Sequence, residues 1–254
     1  MFQLNGKIAV VTGSGSGIGK AVALAFAKQG AEVHLIDLNK ESIDGTADEI
    51  KSTNGKAIAH ACDVTNQQQV MEIFESIGKI DILVNSAGVS HVGTVETTSE
   101  EDFDRLYNVN VKGVYNCLKA GVTQMKQNKS GVILNLASIA SSVGIPDRFA
   151  YSMTKGAVLA MTLSVAKDYL REGIRCNCIS PARVHTPFVD GFIKKNYPGR
   201  EEEMFDKLSK SQPIGRMAKP AEIANLVLYL CSDEASFITG CDYPIDGGFI
   251  KLNN

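Results

Sequence analysis

Ser138, Tyr151 and Lys155 are the residues of this 254-residue chain whose types and spacing best fit a chemical step. A lysine four residues after a tyrosine lies on the same face of a helix, one turn further along. A hydroxyl, a phenol and an ammonium gathered at one point can carry a proton to or from an alcohol oxygen. A free phenol titrates near ~10, so bringing it to about 7 takes about 4 kcal/mol in favour of the phenolate. One positive charge at ~4 Å supplies about 4 kcal/mol at an effective dielectric near ~20. Lys155 is therefore expected to acidify Tyr151, together with the positive ring of an oxidised nicotinamide.

Such a proton transfer needs a hydride acceptor, and the start of the chain offers a place for one. The run Thr12-Gly13-Ser14-Gly15-Ser16-Gly17-Ile18-Gly19 follows an apolar stretch. It lacks the GxGxxG spacing, because Ile18 stands where the last glycine should be, and reads instead as TGxxxGxG. The physics is shared: glycines turn sharply, let backbone approach a pyrophosphate, and aim a helix N-terminus at its charge. Gly13, Ser16, Gly17 and Ile18 are the expected contacts. Asp37 ends the next apolar run, where a carboxylate can accept hydrogen bonds from ribose hydroxyls and repel a 2′-phosphate. No arginine or lysine stands within 14–19, and Leu38 follows Asp37, so NAD is expected rather than NADP. Asp63 and Asn85 end two further runs. Asp63-Val64 would recognise adenine and Asn85 would support the loop; alternatively each of these residues, like Asp37, caps the following helix.

The elements that must position these groups alternate along the chain. Strand-like runs fall at 7–12, 32–37, 56–62, 80–84, 131–136, 174–179 and 243–245. Helical spacing appears at 17–29, 40–53, 67–77, 100–126, from Tyr151 to about 171, and at 221–230. Short runs buried on both faces and separated by helices predict an α/β fold, a doubly wound parallel sheet of Rossmann type in a single domain spanning 1–254. The stretch 187–212, with Phe188, Phe192, Tyr197 and Phe205 among charges, is too long for a plain connection. It is expected to be either a substrate lid or two short surface helices.

Composition narrows the class. A net charge of −2 leaves no basic excess for neutralising phosphates, which argues against nucleic acid as a partner. No apolar run approaches the ~20 residues of a membrane helix, and no leader-like segment follows Met1. The six cysteines are scattered, without a CxxC spacing, and are expected to be reduced core residues in a cytoplasmic protein. No metal site is expected.

Together these residues resemble the short-chain dehydrogenase/reductase family over essentially the whole chain. The matching motifs are 12–19, Asp63-Val64, Asn85-Ser86-Ala87-Gly88, Asn110, Ser138, Tyr151-Ser152-Met153-Thr154-Lys155 and Pro181-Ala182-Arg183-Val184-His185-Thr186. Ser86 replaces a usual asparagine and Ala182 a usual glycine. The resemblance implies that Ser138 hydrogen-bonds the substrate oxygen, and that Asn110 holds a water linking Lys155 to solvent. It implies cofactor contacts from Ala87, Gly88, Tyr151, Lys155, Val184 and Thr186, and a homotetramer formed through the long helix and the Tyr151 helix. Gly156, Ala160 and Ser164 form a small-residue stripe on that helix, which could face a second copy or the protein's own sheet.

The substrate is read from cations near these motifs. Arg148, Arg183, His185 and His91 could face the pocket mouth, and arginine grips a carboxylate at two points. Pairing with acids such as Asp147 or Asp190 is the alternative. The second half of the chain is similar to family members acting on small hydroxy acids and sugar acids. Oxidation of a secondary hydroxyl on a small, carboxylate-bearing molecule is the leading expectation. A neutral sugar dehydrogenase of L-fucose type and a ketoacyl reductase are the alternatives; Asp37 weighs against the latter, which usually takes NADPH.

Overall fold

Seven short apolar runs pair side by side in the computed structural model, which describes residues 1–252. They are β1 (Ile8–Thr12), β2 (Glu32–Asp37), β3 (Lys56–Ala61), β4 (Ile82–Asn85), β5 (Gly131–Leu136), β6 (Ile174–Pro181) and β7 (Asp242–Ile245). All pairs are parallel, in the order β3-β2-β1-β4-β5-β6-β7. The order reverses between β1 and β4, and the crevice outside the strand ends at such a reversal is where open α/β sheets bind ligands. Thr12, Asp37, Asn85 and Leu136 are the last residues of their strands and stand at that edge.

Parallel strands need crossovers, and the α-helices among the described residues supply them. These are α1 (Gly17–Lys28), α2 (Lys40–Ser52), α3 (Gln67–Ile77), α4 (Glu100–Tyr107), α5 (Val114–Asn128), α6 (Phe149–Asp168), α7 (Pro187–Asn196), α8 (Glu201–Lys210), α9 (Pro220–Cys231) and α10 (Phe249–Leu252). Alternation along the strands sends one set of side chains to each face of the sheet. Phe26, Val33 and Leu35 pack with Ile223 from α9 on one face. Val10, Ile36 and Leu83 pack with Phe74 and Met125 on the other. Phe26 and Phe74 are among the largest fully buried side chains, each worth roughly 1.5–3 kcal/mol of burial.

The expected helix over 100–126 is interrupted. A π-helical turn at Asn108–Gly113 separates α4 from α5. Asn110 in that turn is fully buried; its Oδ1 accepts from Val89 N–H at 2.8 Å, and its Nδ2 donates to Val89 O at 2.9 Å. A Cβ on Gly113 would sit 2.8 Å from Val64 Cγ2, so the turn lies tight against the end of β3. Widened helical turns of this kind recur at functional sites, and hydrophobic spacing alone does not reveal them. The stretch 187–212 forms α7 and α8, two short helices.

The cysteines lie where the sequence suggests. All six are free and five are buried; burial pushes the Cys62 thiol up to about 11 and the Cys176 and Cys231 thiols up to about 12. Such thiols are inert core groups. Among the described residues no helix is long and apolar enough to cross a membrane, and no group of three or more metal-ligating side chains occurs.

Candidate active site

The glycine loop is built by backbone approaching backbone. A Cβ on Gly19 would lie 2.1 Å from Gly13 O, and one on Gly13 would lie 2.8 Å from Ala87 Cα. Gly17 opens α1 at φ +55°, the left-handed region that favours glycine. Ser16, the N-cap, makes no side-chain capping bond, and the first turn of α1 holds no acid. The first N–H groups of α1 are thus left to an anion, aided by the helix dipole. Thr186 stands opposite, its Cγ2 3.4 Å from where a Gly17 Cβ would be. This cradle fits a dinucleotide diphosphate, and a side chain at Gly13 or Gly19 would fill it.

Asp37 does not cap α2. Asn39 does so, accepting from Ser42 N–H at 3.0 Å. Asp37 Oδ2 accepts from Gly15 N–H at 3.1 Å and Oδ1 from Asn39 N–H at 3.0 Å. The carboxylate thus ties the glycine loop to β2 and keeps lone pairs for further donors. Asp63 likewise leaves the capping of α3 to Asn66 and accepts from Thr65 N–H at 2.9 Å. Val64 is buried beside Thr12, Asn85 and Ala87 around one small void.

Asn85, expected to support the glycine loop or to cap the next helix, points elsewhere. Its Nδ2 donates to Asn135 Oδ1 at 2.8 Å, inside the sheet. The turn is held by Thr12, whose Oγ1 accepts from Ser86 N–H and Ala87 N–H, both at 3.1 Å. A threonine ending β1 directly beside β4 is the signal that points to this. Asn85 Oδ1 is buried without a partner among the described residues, a polar atom at the crevice end of the sheet.

The three chemical groups converge at the end of β5. Lys155 is buried, and its Nζ donates to Leu136 O at 2.7 Å. Ser138 is buried, and its Oγ accepts from Ala140 N–H at 3.2 Å and also hydrogen-bonds Tyr151. Lys155 Nζ lies 5.8 Å from the centre of the Tyr151 ring. Asn110 Nδ2 reaches Thr154 Oγ1 at 3.1 Å, and a Cβ on Gly88 would lie 3.2 Å from Asn110 Oδ1 and 3.7 Å from Lys155 Nζ. Gly88, Asn110 and Lys155 are therefore packed into one point.

The protein's own groups act on the phenol in both directions. Burial raises Tyr151 above its ordinary value, against the opposing pull of the Ser138 hydrogen bond and then the Arg148 charge. Burial instead pushes Lys155 down to about 8, so at neutral pH it stays charged against a desolvation cost. The expectation assigns part of the acidification to an oxidised nicotinamide ring, and positive charge there would oppose the effect of burial.

Arg148 and Arg183 form no ion pair among the described residues, so the alternative pairing with Asp147 or Asp190 is not made. Arg148 NH1 donates to His91 O at 3.0 Å and Ser90 Oγ at 3.2 Å. Arg183 Nε donates to Ser211 Oγ at 3.1 Å. Both guanidiniums are half-buried, and burial lowers both below the usual arginine value; Arg183 also feels the charge of Arg148. Arg148 in turn feels Tyr151, then Asp147 and Tyr197, and stands at the N-cap of α6, the helix that carries the phenol. His91 contributes its carbonyl to this cluster, while its ring lies near Asp102 (Nδ1 to Oδ1, 3.5 Å) and against Gly93. His185 is exposed, 2.8 Å from Asp190 on α7 and edge-on to Phe205. Val184 is buried and bridges Ala218.

Comparison with known proteins agrees with this geometry. The family model described as Enoyl-(Acyl carrier protein) reductase matches residues 13–250. A protein of Aquarana catesbeiana named Dehydrogenase/reductase SDR family member 6 is 41% identical over 250 residues, covering 98% of this chain and 99% of its own length. The structure of L-sorbose reductase from Gluconobacter frateurii, complexed with NADPH and L-sorbose, superposes with a TM-score of 0.93 at 30% identity, covering 99% of both chains. That of an NAD+-bound xylitol dehydrogenase superposes with a TM-score of 0.90 at 34% identity, covering 96% of this chain and 99% of its own.

Proposed function

The chain belongs to the short-chain dehydrogenase/reductase family and is an oxidoreductase acting on CH–OH groups, and from that premise we propose that it oxidises a small hydroxy acid or sugar acid at a secondary hydroxyl, with NAD as hydride acceptor. The observation that carries the reading is the pair of half-buried guanidiniums, Arg148 just before the Tyr151 helix turn and Arg183 just past β6, held by serine hydroxyls and a carbonyl and without an ion-paired protein carboxylate. An anionic group on the substrate would supply the missing charge in bidentate form.

A bound oxidised nicotinamide would supply the hydride acceptor and a positive charge to favour the phenolate. Gly13, Ser16, Gly17 and Ile18 would hold the diphosphate at the start of α1, with Thr186 opposite. Asp37 would take the ribose hydroxyls, and Asp63-Val64 the adenine. Val184, Ala87 and Gly88 would line the nicotinamide side. Ser138 donates to the substrate oxygen and fixes its distance from Tyr151. Tyr151 takes the hydroxyl proton in oxidation and returns it in reduction. Lys155, charged at neutral pH, would stabilise the resulting phenolate, and Asn110 would hold a water linking Lys155 to solvent.

NAD is favoured over NADP by the Asp37 carboxylate, which a 2′-phosphate would meet at close range. Lys20 and Lys40, on the helices that flank this carboxylate, pair with Glu49 and Asp44. A screen of NAD reduction with hydroxy acids, sugar acids, neutral aldoses and simple secondary alcohols, repeated with NADP, tests the reading. Turnover confined to neutral sugars would overturn it. That second reading draws on the neutral ligands named for the sorbose and xylitol enzymes. Clear preference for NADP and a ketoacyl substrate would instead favour the acyl reductase alternative.

The segment 187–212 would act as the substrate lid. The chain would assemble as a homotetramer through α4–α5 and α6. On α6, Ala160, Leu163 and Ser164 are exposed, and a Cβ on Gly156 would meet nothing, so the small-residue stripe turns away from the protein's own sheet. Tyr107 and Tyr115 are exposed on the second face. Light scattering after size exclusion, reporting a monomer at micromolar concentration, would remove the assembly.

A further inference from the structure

Resting on the carboxylate reading above, we propose that Ser211 is a positioning residue for substrate charge: it turns Arg183 toward the anion and so ties the end of the 187–212 segment to what the pocket holds. Ser211 sits just past α8, and its hydroxyl makes three bonds. Its Oγ donates to Leu208 O at 2.7 Å, accepts from Arg183 Nε at 3.1 Å, and accepts from Gln212 Nε2 at 3.0 Å. The donor is thereby committed to the helix end, and both acceptor positions face side chains. Gln212 is 3% exposed and closes the motif by bringing its Oε1 to Arg183 N–H at 3.5 Å.

The consequence is geometric. A guanidinium is a planar fork, and holding Nε fixes the plane in which the two terminal nitrogens lie. Those nitrogens of Arg183 have no hydrogen-bond partner among the described residues. Arg148 is held in the complementary way, by Ser90 Oγ and His91 O on one terminal nitrogen. The two charges are therefore aimed from separate segments, one anchored to the loop after β4 and the other to the lid. An anion bridging them would draw both anchors together, whereas a neutral ligand of the same shape would leave the Ser211 contact unused.

Titration calorimetry on the NAD-saturated protein tests this, with malonate as the anionic probe and malonamide as its neutral counterpart. Ser211→Ala should weaken malonate about 10-fold, the cost of one charge-assisted hydrogen bond, and leave malonamide unchanged. Ser211→Thr, which keeps the hydroxyl, should restore malonate to within about 2-fold, with NAD affinity and thermal midpoint constant across the series. Wild-type malonate affinity in Ser211→Ala, alongside its loss in Arg148→Ala, would overturn the positioning role and leave the carboxylate reading standing. No malonate binding by the wild type, or equal binding by Arg148→Ala, would overturn both. Should Ser211→Ala fail to fold, trypsin cleavage at the exposed Lys194 and Lys195 decides the matter on the native chain. Malonate, but not malonamide, should slow that cleavage, and equal rates would refute the tie.

Discussion

The crevice at β1–β4 and the rim around Arg148 and Arg183 are built in opposite ways. The crevice is backbone against backbone: Gly13 against Ala87, Gly19 against Gly13, and Asp37 and Thr12 fastening main-chain N–H groups. The rim is made of long side chains, each steadied by a serine hydroxyl or a carbonyl from another part of the chain. Contacts at the first site tolerate no added atom, while the second can be re-aimed by changing one support. A shape common to many ligands suits the former, and a substrate peculiar to one enzyme suits the latter.

Five measurements would put that contrast under strain, the largest effect first. Tyr151→Phe removes only a hydroxyl and should cut turnover about 10³-fold while NAD affinity holds, as read by steady-state kinetics and titration. Lys155 comes next. Its folded-state value near 8 lies below the ordinary 10.5, so between those limits the unfolded lysine binds more protons and its own contribution to wild-type stability should rise with pH, opposite in sign to that of the raised cysteines, which wild type and variant share. Lys155→Met should abolish that rise, worth about 3 kcal/mol, and should unfold later at pH 7 while turning over poorly. Chemical denaturation at pH 7 and 10 would show it; parallel curves for the two proteins would contradict it.

In the crevice, Gly19→Ala should cost about 1–3 kcal/mol of stability and most of the NAD affinity, because the new methyl collides with Gly13 O. Thermal melts and NAD titration of the variant check both halves. At the rim, Arg148→Ala should leave stability near wild type and raise KM about 10-fold or more for an acid substrate, with little change for a neutral alcohol. Equal KM changes for both would erase the proposed difference between the sites. Asp37→Ala should shift the NAD-to-NADP ratio of kcat/KM about 10-fold toward NADP and loosen the glycine loop, which hydrogen exchange at Gly15 would register.

What the sequence disclosed follows the same division. The strands at 32–37 and 131–136 and the helix at 67–77 match their expected limits, because period and punctuation are local properties. The glycine loop was legible for the same reason. The π-helical turn was not, since the pull of Asn110 on Val89 spans a distant segment and leaves the apolar spacing intact. Nor could spacing show that Asn85 turns inward to Asn135, that Thr12 holds the turn instead, or that His91 serves Arg148 by its carbonyl. Spacing also does not reveal the burial of Tyr151, which raises the phenol against the charges expected to lower it.

The double tether on Asp37 has a consequence for any attempt to retune this protein. One carboxylate pins Gly15 and Asn39 in place and, on the proposed reading, would also screen the nucleotide, so the two duties would share a single side chain. A lineage or an engineer wishing to admit a phosphorylated ribose cannot simply delete the acid. A new group must first take over the main-chain amides, which makes the switch a two-step path whose first step improves nothing by itself.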